Sequence, residues 1–284
     1  MQEGVVQDPE CYLVPCSLLP APCSPLTPHR TLGPMKIAVC LKRVPDTTAK
    51  ITIGPDGKSI DEAGVKFVAN PYDEYAVEEA LKLKEAAGSG ETVVVCVGTD
   101  ASQETMRGML AMGIDRGVLL QVDARGADSF GVAQALADEL KTGGYDLVLF
   151  GKLAVDDYQH QVGPIVAELL GWPCITTVAH LKVADGSAEA EREIEGGVEV
   201  VTCSLPAVLT CDKGLNTPRL AKLQGIMAAK KKPLEVKPVS LAAAGVEVLS
   251  LALPPERAAG RIVGEGADAV PELVRLLRAE AKVI

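Results

Sequence analysis

The sequence has little of what metal sites and nucleic-acid-binding surfaces need. It contains only three histidines in 284 residues, widely separated at His29, His160 and His180, so we expect no metal site. Acidic residues outnumber basic ones by 38 to 28, giving a formal net charge of −10. Binding DNA or RNA requires clustered lysine and arginine opposite the phosphates. Nucleic acid is therefore not an expected partner.

Long apolar runs and paired cysteines are also missing. No uncharged run reaches the length of about 18 residues that a membrane-spanning helix needs. None of the eight cysteines forms a CxxC pair, and Cys40, Cys96 and Cys203 lie inside apolar runs, where thiols act as small hydrophobic groups. We expect a cytoplasmic protein without a disulfide framework.

The first 34 residues are rich in proline and lack hydrophobic periodicity. They have no basic segment before the apolar part and no A-x-A cleavage site, so they do not match a secretory signal. We expect this leader, residues 1–34, to be disordered. Because a clear strand follows Met35 at once, translation starting at Met35 is the accompanying hypothesis.

From residue 35 onward, short apolar runs alternate with amphipathic segments. Helices are predicted from Tyr72, over 101–113 with an end at Gly113, and over 128–144. An alternating segment around Pro55–Gly57 predicts a β-hairpin. Such alternation is typical of βαβ units with a parallel sheet covered on both faces. We expect a doubly wound α/β core to about residue 185. The predicted strands are KIAVCL, TVVVCVG, RGVLLQV and YDLVLFG.

In such sheets ligands bind beyond the carboxyl ends of the strands, where the strand order reverses. If KIAVCL and YDLVLFG flank that point, the segments CLKRVPD and GKLAVDD converge on one crevice.

After Trp172–Pro173 the pattern changes to period two. ITTVAHLKV, EAEREIEGGVEVVTCSL and PAVLTC predict antiparallel strands in an extension packed on the sheet, with turns at Asp185–Gly186 and Gly196–Gly197. Residues 215–233 are predicted to be helical or looped, and PELVRLLRAEAKVI to form a short helix. We expect residues 35–185 to be the nucleotide-binding core and 186–284 the extension.

The loop after YDLVLFG has the position of a phosphate-binding loop. Gly151 allows close approach of the backbone, and Asp156–Asp157 lie where the next helix offers free amides. The alternative is that Asp156 or Asp157 is only an N-cap. No Walker sequence and no GxGxxG fingerprint in the right context is present, and no nucleophile with a base can be assembled. Nucleotide binding rather than covalent catalysis is predicted.

A second segment, LNTPRLAKLQGIMAAKKKP, spaces Leu220, Leu223 and Met227 by three and four residues. One interpretation is a core-packing helix whose lysines favour its C-terminus. The other is an exposed apolar anchor that docks another protein.

Together these blocks make the chain from Met35 onward resemble the electron transfer flavoprotein β-subunit family. AEREIEGGVEVVTCSLPAVLT carries Arg192, Glu199 and Pro206 at the family spacing, and VCLKRVPD, NPYDEYAVEEALKLKE, LAMGIDRG and the GK-x-A-x-DD loop match as further blocks. The resemblance covers roughly 250 residues, a length consistent with a single α/β domain. It implies a Rossmann-like fold of the adenine-nucleotide-binding type.

The resemblance also implies cofactors and their contacts. The family's β subunit holds a structural AMP, and the redox-active FAD lies at the interface with the α subunit. Tyr72 is the better candidate for flavin contact, because Thr47 replaces an aromatic residue of some relatives. The implied cofactor-binding residues are Cys40, Asn70, Pro71, Tyr72, Asp73, Val97, Gly151, Lys152, Leu153, Ala154, Val155, Asp156, Asp157, Tyr158, Gln159, His160, Gln161 and Val162.

The implied activity is electron transport without substrate turnover. Leu223, flanked by Ile226 and Met227, matches the family's recognition leucine, which docks acyl-CoA dehydrogenases, and a membrane quinone oxidoreductase accepts the electrons. One alternative is a bifurcating member with a second FAD in place of AMP, although such members tend to carry glycine where this chain has Asp157. The other is a stand-alone ATP-binding regulatory domain.

Overall fold

A single nine-stranded sheet organises the chain. The computed structural model describes residues 33–256 and 259–284, so nearly all of the predicted leader lies outside the described residues. The strands are β1 (Met35–Leu41), β2 (Arg43–Pro45), β3 (Phe67–Ala69), β4 (Gly90–Gly98), β5 (Arg116–Gln121), β6 (Leu147–Gly151), β7 (Cys174–Ala184), β8 (Ser187–Ile194), β9 (Gly197–Ser204), β10 (Ala207–Cys211) and β11 (Leu234–Pro238). The sheet order is β11-β5-β4-β1-β6-β10-β7-β8-β9, and β2 and β3 form a separate antiparallel pair.

Helices cover both faces of this sheet. They are α1 (Pro71–Ala87), α2 (Ser102–Met112), α3 (Ser129–Thr142), α4 (Val162–Leu170), α5 (Leu223–Ala229) and α6 (Val270–Leu276), the last continued by a π-helical turn. One buried cluster joins α1 and α2 to the sheet, and a second joins α3 and α4 to its other face. The predicted doubly wound α/β fold is confirmed. None of the helices within the described ranges has the length and apolar character needed to cross a bilayer.

The strand order reverses at β1. Its neighbours, β4 and β6, both run parallel to it. The chain builds outward from β1 through β4 and β5, and then returns to the other side of β1 as β6. KIAVCL and YDLVLFG therefore flank the switch point, as the sequence predicts.

Three local predictions need correction. PAVLTC is not antiparallel: β10 inserts between β6 and β7 and runs parallel to both. The hairpin around Pro55–Gly57 keeps its turn but pairs through one bridge, Ile53 with Ile60. The hairpins β7–β8 and β8–β9 are antiparallel as predicted, but they extend the main sheet instead of packing on it. Strand β11, which no pattern predicted, pairs with β5 at the opposite edge.

Candidate functional site

A cleft opens at the carboxyl ends of β1 and β6, where the strand order reverses. Its cavity volume is about 200 Å³. Val97, Val132, Leu136 and Phe150 give it an apolar wall, and the loop after Gly151 forms the opposite side. The two segments selected from the sequence therefore converge on one site.

The structure brings most of the sequence-predicted residues to this cleft. Those that line it are Cys40, Asn70, Asp73, Val97, Gly151, Lys152, Leu153, Ala154, Asp157, Gln159, His160, Gln161 and Val162. The remaining five predicted residues are absent from its lining: Pro71, Tyr72, Val155, Asp156 and Tyr158. Of these, Tyr72 lies beside the site, with its ring centroid 5.1 Å from the Lys152 ammonium nitrogen.

Two buried polar side chains fix the shape of the loop. Asp73 accepts hydrogen bonds from the backbone N–H of Lys42 at 2.7 Å and of Gly151 at 3.1 Å, so it links the ends of β1 and β6. Asn70 donates to Asp73 at 2.8 Å and to the Leu153 carbonyl at 2.7 Å, and accepts from the Val155 N–H at 3.2 Å. Because every polar atom of both side chains is used, the two residues act first as a frame for the loop.

Burial also changes the pKa of the Asp73 carboxyl group. It raises the pKa of Asp73 to about 7, although the N–H donors of Lys42, Asn70 and Gly151 oppose the shift. A side chain at Gly151 would overlap the Asp73 carboxylate and the backbone of Tyr72, so only glycine fits there.

The loop leads into a helix with free amides. No side chain caps α4, and its first intrahelical bond runs from the Ile165 N–H to the Gln161 carbonyl at 3.0 Å. The amides of Val162 and Gly163 are therefore left without helical partners. Before them, His160 has φ 57° and Gln161 has φ −102°, an alternation that turns successive N–H groups toward one side. This arrangement suits an anion.

The two acidic residues of the loop share Lys42 as their counter-ion. Its ammonium lies 2.9 Å from an oxygen of Asp156 and 2.9 Å from one of Asp157. Burial lowers the pKa of Lys42, but the two carboxylates outweigh it and raise the pKa above its ordinary value. The N-cap alternative is wrong, since Gln161 holds that position. Two carboxylates can thus lie near a bound phosphate without both repelling it.

Several lining residues were not predicted individually. Lys42 follows β1 directly and lies inside the selected segment CLKRVPD. A lysine in this segment, opposite the two aspartates of the other segment, could have indicated that it lines the cleft. Asp128 and Ser129 begin α3 at the same edge of the sheet, and Ser129 donates to Gln159 at 2.6 Å. The position of Asp128 and Ser129 after β5 could have indicated that they line the cleft, because the carboxyl ends of parallel strands share one edge of the sheet.

The second predicted segment lies at the protein surface. Leu223, Ile226 and Met227 of α5 are 73%, 46% and 65% exposed, and Leu220 is 90% exposed. The core-packing interpretation is therefore wrong. An exposed apolar cluster of this kind is typical of an interaction site.

Comparisons with known proteins agree with this arrangement. A family model described as "Electron transfer flavoprotein domain" matches residues 58–242. "Electron transfer flavoprotein subunit beta" of Bacillus subtilis is 43% identical over 260 residues, which cover 88% of this chain and the whole of that protein. This chain belongs to the electron transfer flavoprotein β-subunit family.

Other members of the electron transfer flavoprotein β-subunit family span a similar length. Proteins with the same printed name from Syntrophomonas wolfei and Homo sapiens are 44% and 40% identical, covering 80% and 87% of this chain and 88% and 100% of their own length. Membership therefore gives this chain a role in electron transport as part of a flavoprotein.

Proposed function

We propose that this chain is the β subunit of a heterodimeric electron transfer flavoprotein, with AMP in the cleft and FAD at the interface with an α subunit. The observation that carries the proposal is the cleft at the switch point, with uncapped amides on one side and an apolar wall on the other. It lies in a chain that matches the full length of family members.

The residues of the cleft fit an adenine mononucleotide. Val97, Val132 and Phe150 offer apolar surface to a base, and the amides of Val162 and Gly163 offer hydrogen bonds to a phosphate. No lysine is required on the phosphate, because helix dipole and amides together attract an anion. Lys42 stays with the loop carboxylates and reduces their repulsion of the ligand.

The redox chemistry belongs to FAD, which accepts and releases the electrons when bound. This chain contributes binding and orientation, as proteins do for organic cofactors. Tyr72 is the proposed flavin contact. It is half-buried beside Lys152, whose ammonium also pairs with Asp212 at 2.8 Å. Both side chains are thus held in place before a partner subunit arrives.

The apolar face of α5 is the proposed docking site for acyl-CoA dehydrogenases. Leu223 and Met227 project from a helix at the surface, where a partner's apolar pocket can take them. A small anchor of this type supplies most of an interface's affinity from few residues. It leaves the rest of the carrier free to deliver electrons onward, in this proposal to a membrane quinone oxidoreductase.

The proposed compartment is the cytoplasm, on the basis of cysteine usage. The relative from Oryza sativa subsp. indica is named "Electron transfer flavoprotein subunit beta, mitochondrial", which describes that protein's location. Detecting this chain in fractionated cells of its own host tests the assignment.

The bifurcating alternative, with a second FAD replacing AMP, is disfavoured by one contact. Asp157 lines the cleft and is tied to Lys42 at 2.9 Å, so the loop side is closed by an ion pair where a larger dinucleotide needs room. The stand-alone regulatory alternative leaves the apolar face of α5 without a purpose.

The test is the nucleotide content of the complex. The chain is copurified with its candidate α subunit, the complex is denatured, and the released nucleotides are quantified by chromatography. The α subunit purified alone is the control that assigns each nucleotide. We expect one FAD and one AMP per heterodimer. Two FAD and no AMP would establish the bifurcating form, and absence of FAD would contradict the proposed function.

A further inference from the structure

Two basic side chains fasten α2 and α5 to each other at their C-terminal ends. Arg107 of α2 donates from one guanidinium nitrogen to the carbonyls of Ala229 and Lys232, both at 2.6 Å. Lys232 in turn donates to the carbonyls of Leu110 at 2.9 Å and Ile114 at 2.6 Å. Arg107 of α2 thus binds carbonyls at the end of α5 and just beyond it, and Lys232, which follows α5, binds carbonyls at the end of α2 and just beyond it. We call Arg107 and Lys232 the clasp.

Two of the four carbonyls that the clasp binds, those of Ala229 and Leu110, lie in the last turns of α5 and α2, and the other two lie just beyond these helices. The last four C=O groups of a helix have no intrahelical partner and carry the negative end of the helix dipole, so cations bind them well. The dependence is stronger for α5, which has only seven residues. A helix this short is not stable by itself in water. Its order must come from contacts with α2.

Backbone packing adds a second contact between the two helices. A side chain at Gly225 of α5 would overlap the carbonyl oxygen of Ala111 in α2. The absence of a Cβ there allows the helices to touch through their backbones. Together with the clasp, this contact fixes both the distance and the rotation of α5.

That rotation decides which side chains face outward. Ala229 is buried, while Leu223, Ile226 and Met227 on the same short helix stay exposed. A helix that turned or unwound would present these side chains differently. The clasp thus acts on the surface that the proposed function assigns to dehydrogenase docking.

We propose that Arg107 and Lys232 are positioning residues for dehydrogenase docking, holding α5 in the one orientation in which Leu223 and Met227 can enter a partner's apolar pocket. The inference rests on the proposed docking role of α5. Neither clasp residue touches the partner in this proposal. Both act by keeping α5 ordered before binding, which lowers the entropy cost of association.

The test compares Arg107→Met, Leu223→Ala and the double variant in the complex with the α subunit. Electron transfer from an acyl-CoA dehydrogenase is measured at varied flavoprotein concentration. We expect Arg107→Met to raise KM about fivefold, with unchanged kcat and FAD content. A change of this size lies within the range of interaction energies measured between neighbouring residues. In the Leu223→Ala background, Arg107→Met should have little further effect, because the anchor it positions is already gone.

Two controls separate positioning from general structural damage. Arg125→Met removes an exposed arginine that pairs with Asp123, and its KM should equal that of the unaltered protein. Arg107→Lys should recover most of the lost affinity, since both hydrogen bonds of Arg107 leave from one nitrogen and an ammonium can make both, as Lys232 does.

Hydrogen exchange gives a readout independent of activity. The amides of α5 should exchange faster in Arg107→Met and in Gly225→Ala, which changes no charge, while those of α1 should keep their protection. Unchanged exchange and KM in Arg107→Met, with a raised KM in Leu223→Ala, would overturn the inference and leave the docking role standing. Independent effects of the two substitutions, or loss of FAD, would also overturn it. An unaffected Leu223→Ala variant would contradict the docking role itself.

Discussion

Asp73 is the residue on which the geometry of the nucleotide cleft most depends. One carboxylate receives the N–H groups at the ends of β1 and β6, and it receives the Asn70 amide as well. Parallel strands leave such N–H groups free at the edge where ligands bind. A buried acceptor here satisfies two strands at once, and burial raises its pKa to about 7.

Stability should therefore depend on pH through Asp73. Its pKa is about 3.8 unfolded and about 7 folded, so the folded protein binds the proton more tightly. The stabilisation is complete below pH 4 and is lost as the pH rises to 7, by at most about 4 kcal/mol. Relative to Asp73→Asn, the unaltered protein should lose stability across this range. Thermal unfolding midpoints of both, measured from pH 5 to 8, test this.

Asp128→Asn is the matched control for that titration. Backbone N–H donors, first that of Gly131, hold the pKa of Asp128 below its usual value. Its stabilisation is lost only as the pH falls toward the acid range, so between pH 5 and 7 this variant should differ from the unaltered protein by a constant amount. If the Asp73→Asn difference is equally constant, Asp73 titrates in its ordinary range.

At the scale of single residues, the sequence predicted which residues lie at the cleft better than it predicted which of them pair with each other. Gly151 was placed at the cleft because it follows a predicted strand, whereas Asn70 and Asp73 were placed there by the resemblance to the family. The pairing of Lys42 with Asp156 and Asp157 joins positions over 100 residues apart. Such a contact follows from strand order, and strand order is not contained in local periodicity.

At the scale of elements, β10 shows what periodicity leaves open. Its five residues are all buried, a continuous apolar run of the kind that fills the interior of a parallel sheet. That run distinguishes it from the alternating strands around it, and the signal was present in PAVLTC. Whether a strand enters a sheet or extends its edge depends on pairing with distant strands. The edge strand β11 was missed for this reason.

The loop between β6 and α4 leads to a prediction about AMP affinity. Lys42→Met removes the shared cation of Asp156 and Asp157 and leaves two carboxylates facing the anion site. We expect affinity for AMP to fall about tenfold, equivalent to about 1.4 kcal/mol, a size that two weak ion pairs can supply. AMP is removed from the heterodimer and titrated back, with binding followed by calorimetry.

Two further variants serve as controls for that experiment. Lys42→Arg keeps the positive charge and should retain most of the affinity. Lys66→Met removes a largely exposed lysine, 3.7 Å from Asp46, and should bind AMP as the unaltered protein does. Equal AMP affinity in Lys42→Met would show that the loop carboxylates do not act on the ligand.

At the scale of the whole molecule, the C-terminal segment is the surface that the fold leaves uncovered. Beyond β11 the described residues form little regular structure before α6. Ile262, Val270 and Val283 remain exposed, at 86%, 51% and 67%. Monomeric proteins rarely expose apolar side chains in such number on one segment, and those that do use them to bind partners. We expect the α subunit to cover this segment.

Truncation after Gly260 tests that expectation. It removes α6 and these exposed side chains but keeps the hydrogen bond from the Leu251 N–H to the Gly57 carbonyl that holds the preceding segment. Because the removed part buries little apolar surface within its own chain, its loss should hardly change that chain's thermal midpoint. Its loss should weaken α-subunit binding at least about tenfold, since an obligate interface loses much apolar contact. Copurification and calorimetry with the α subunit measure the effect.

Leu220→Ser is the control, because it makes an exposed apolar residue polar on a different surface. It should bind the α subunit normally while impairing transfer from a dehydrogenase. The two surfaces would then be separable by function, one permanent and one transient. If truncation leaves α-subunit binding unchanged, the α subunit does not cover this segment.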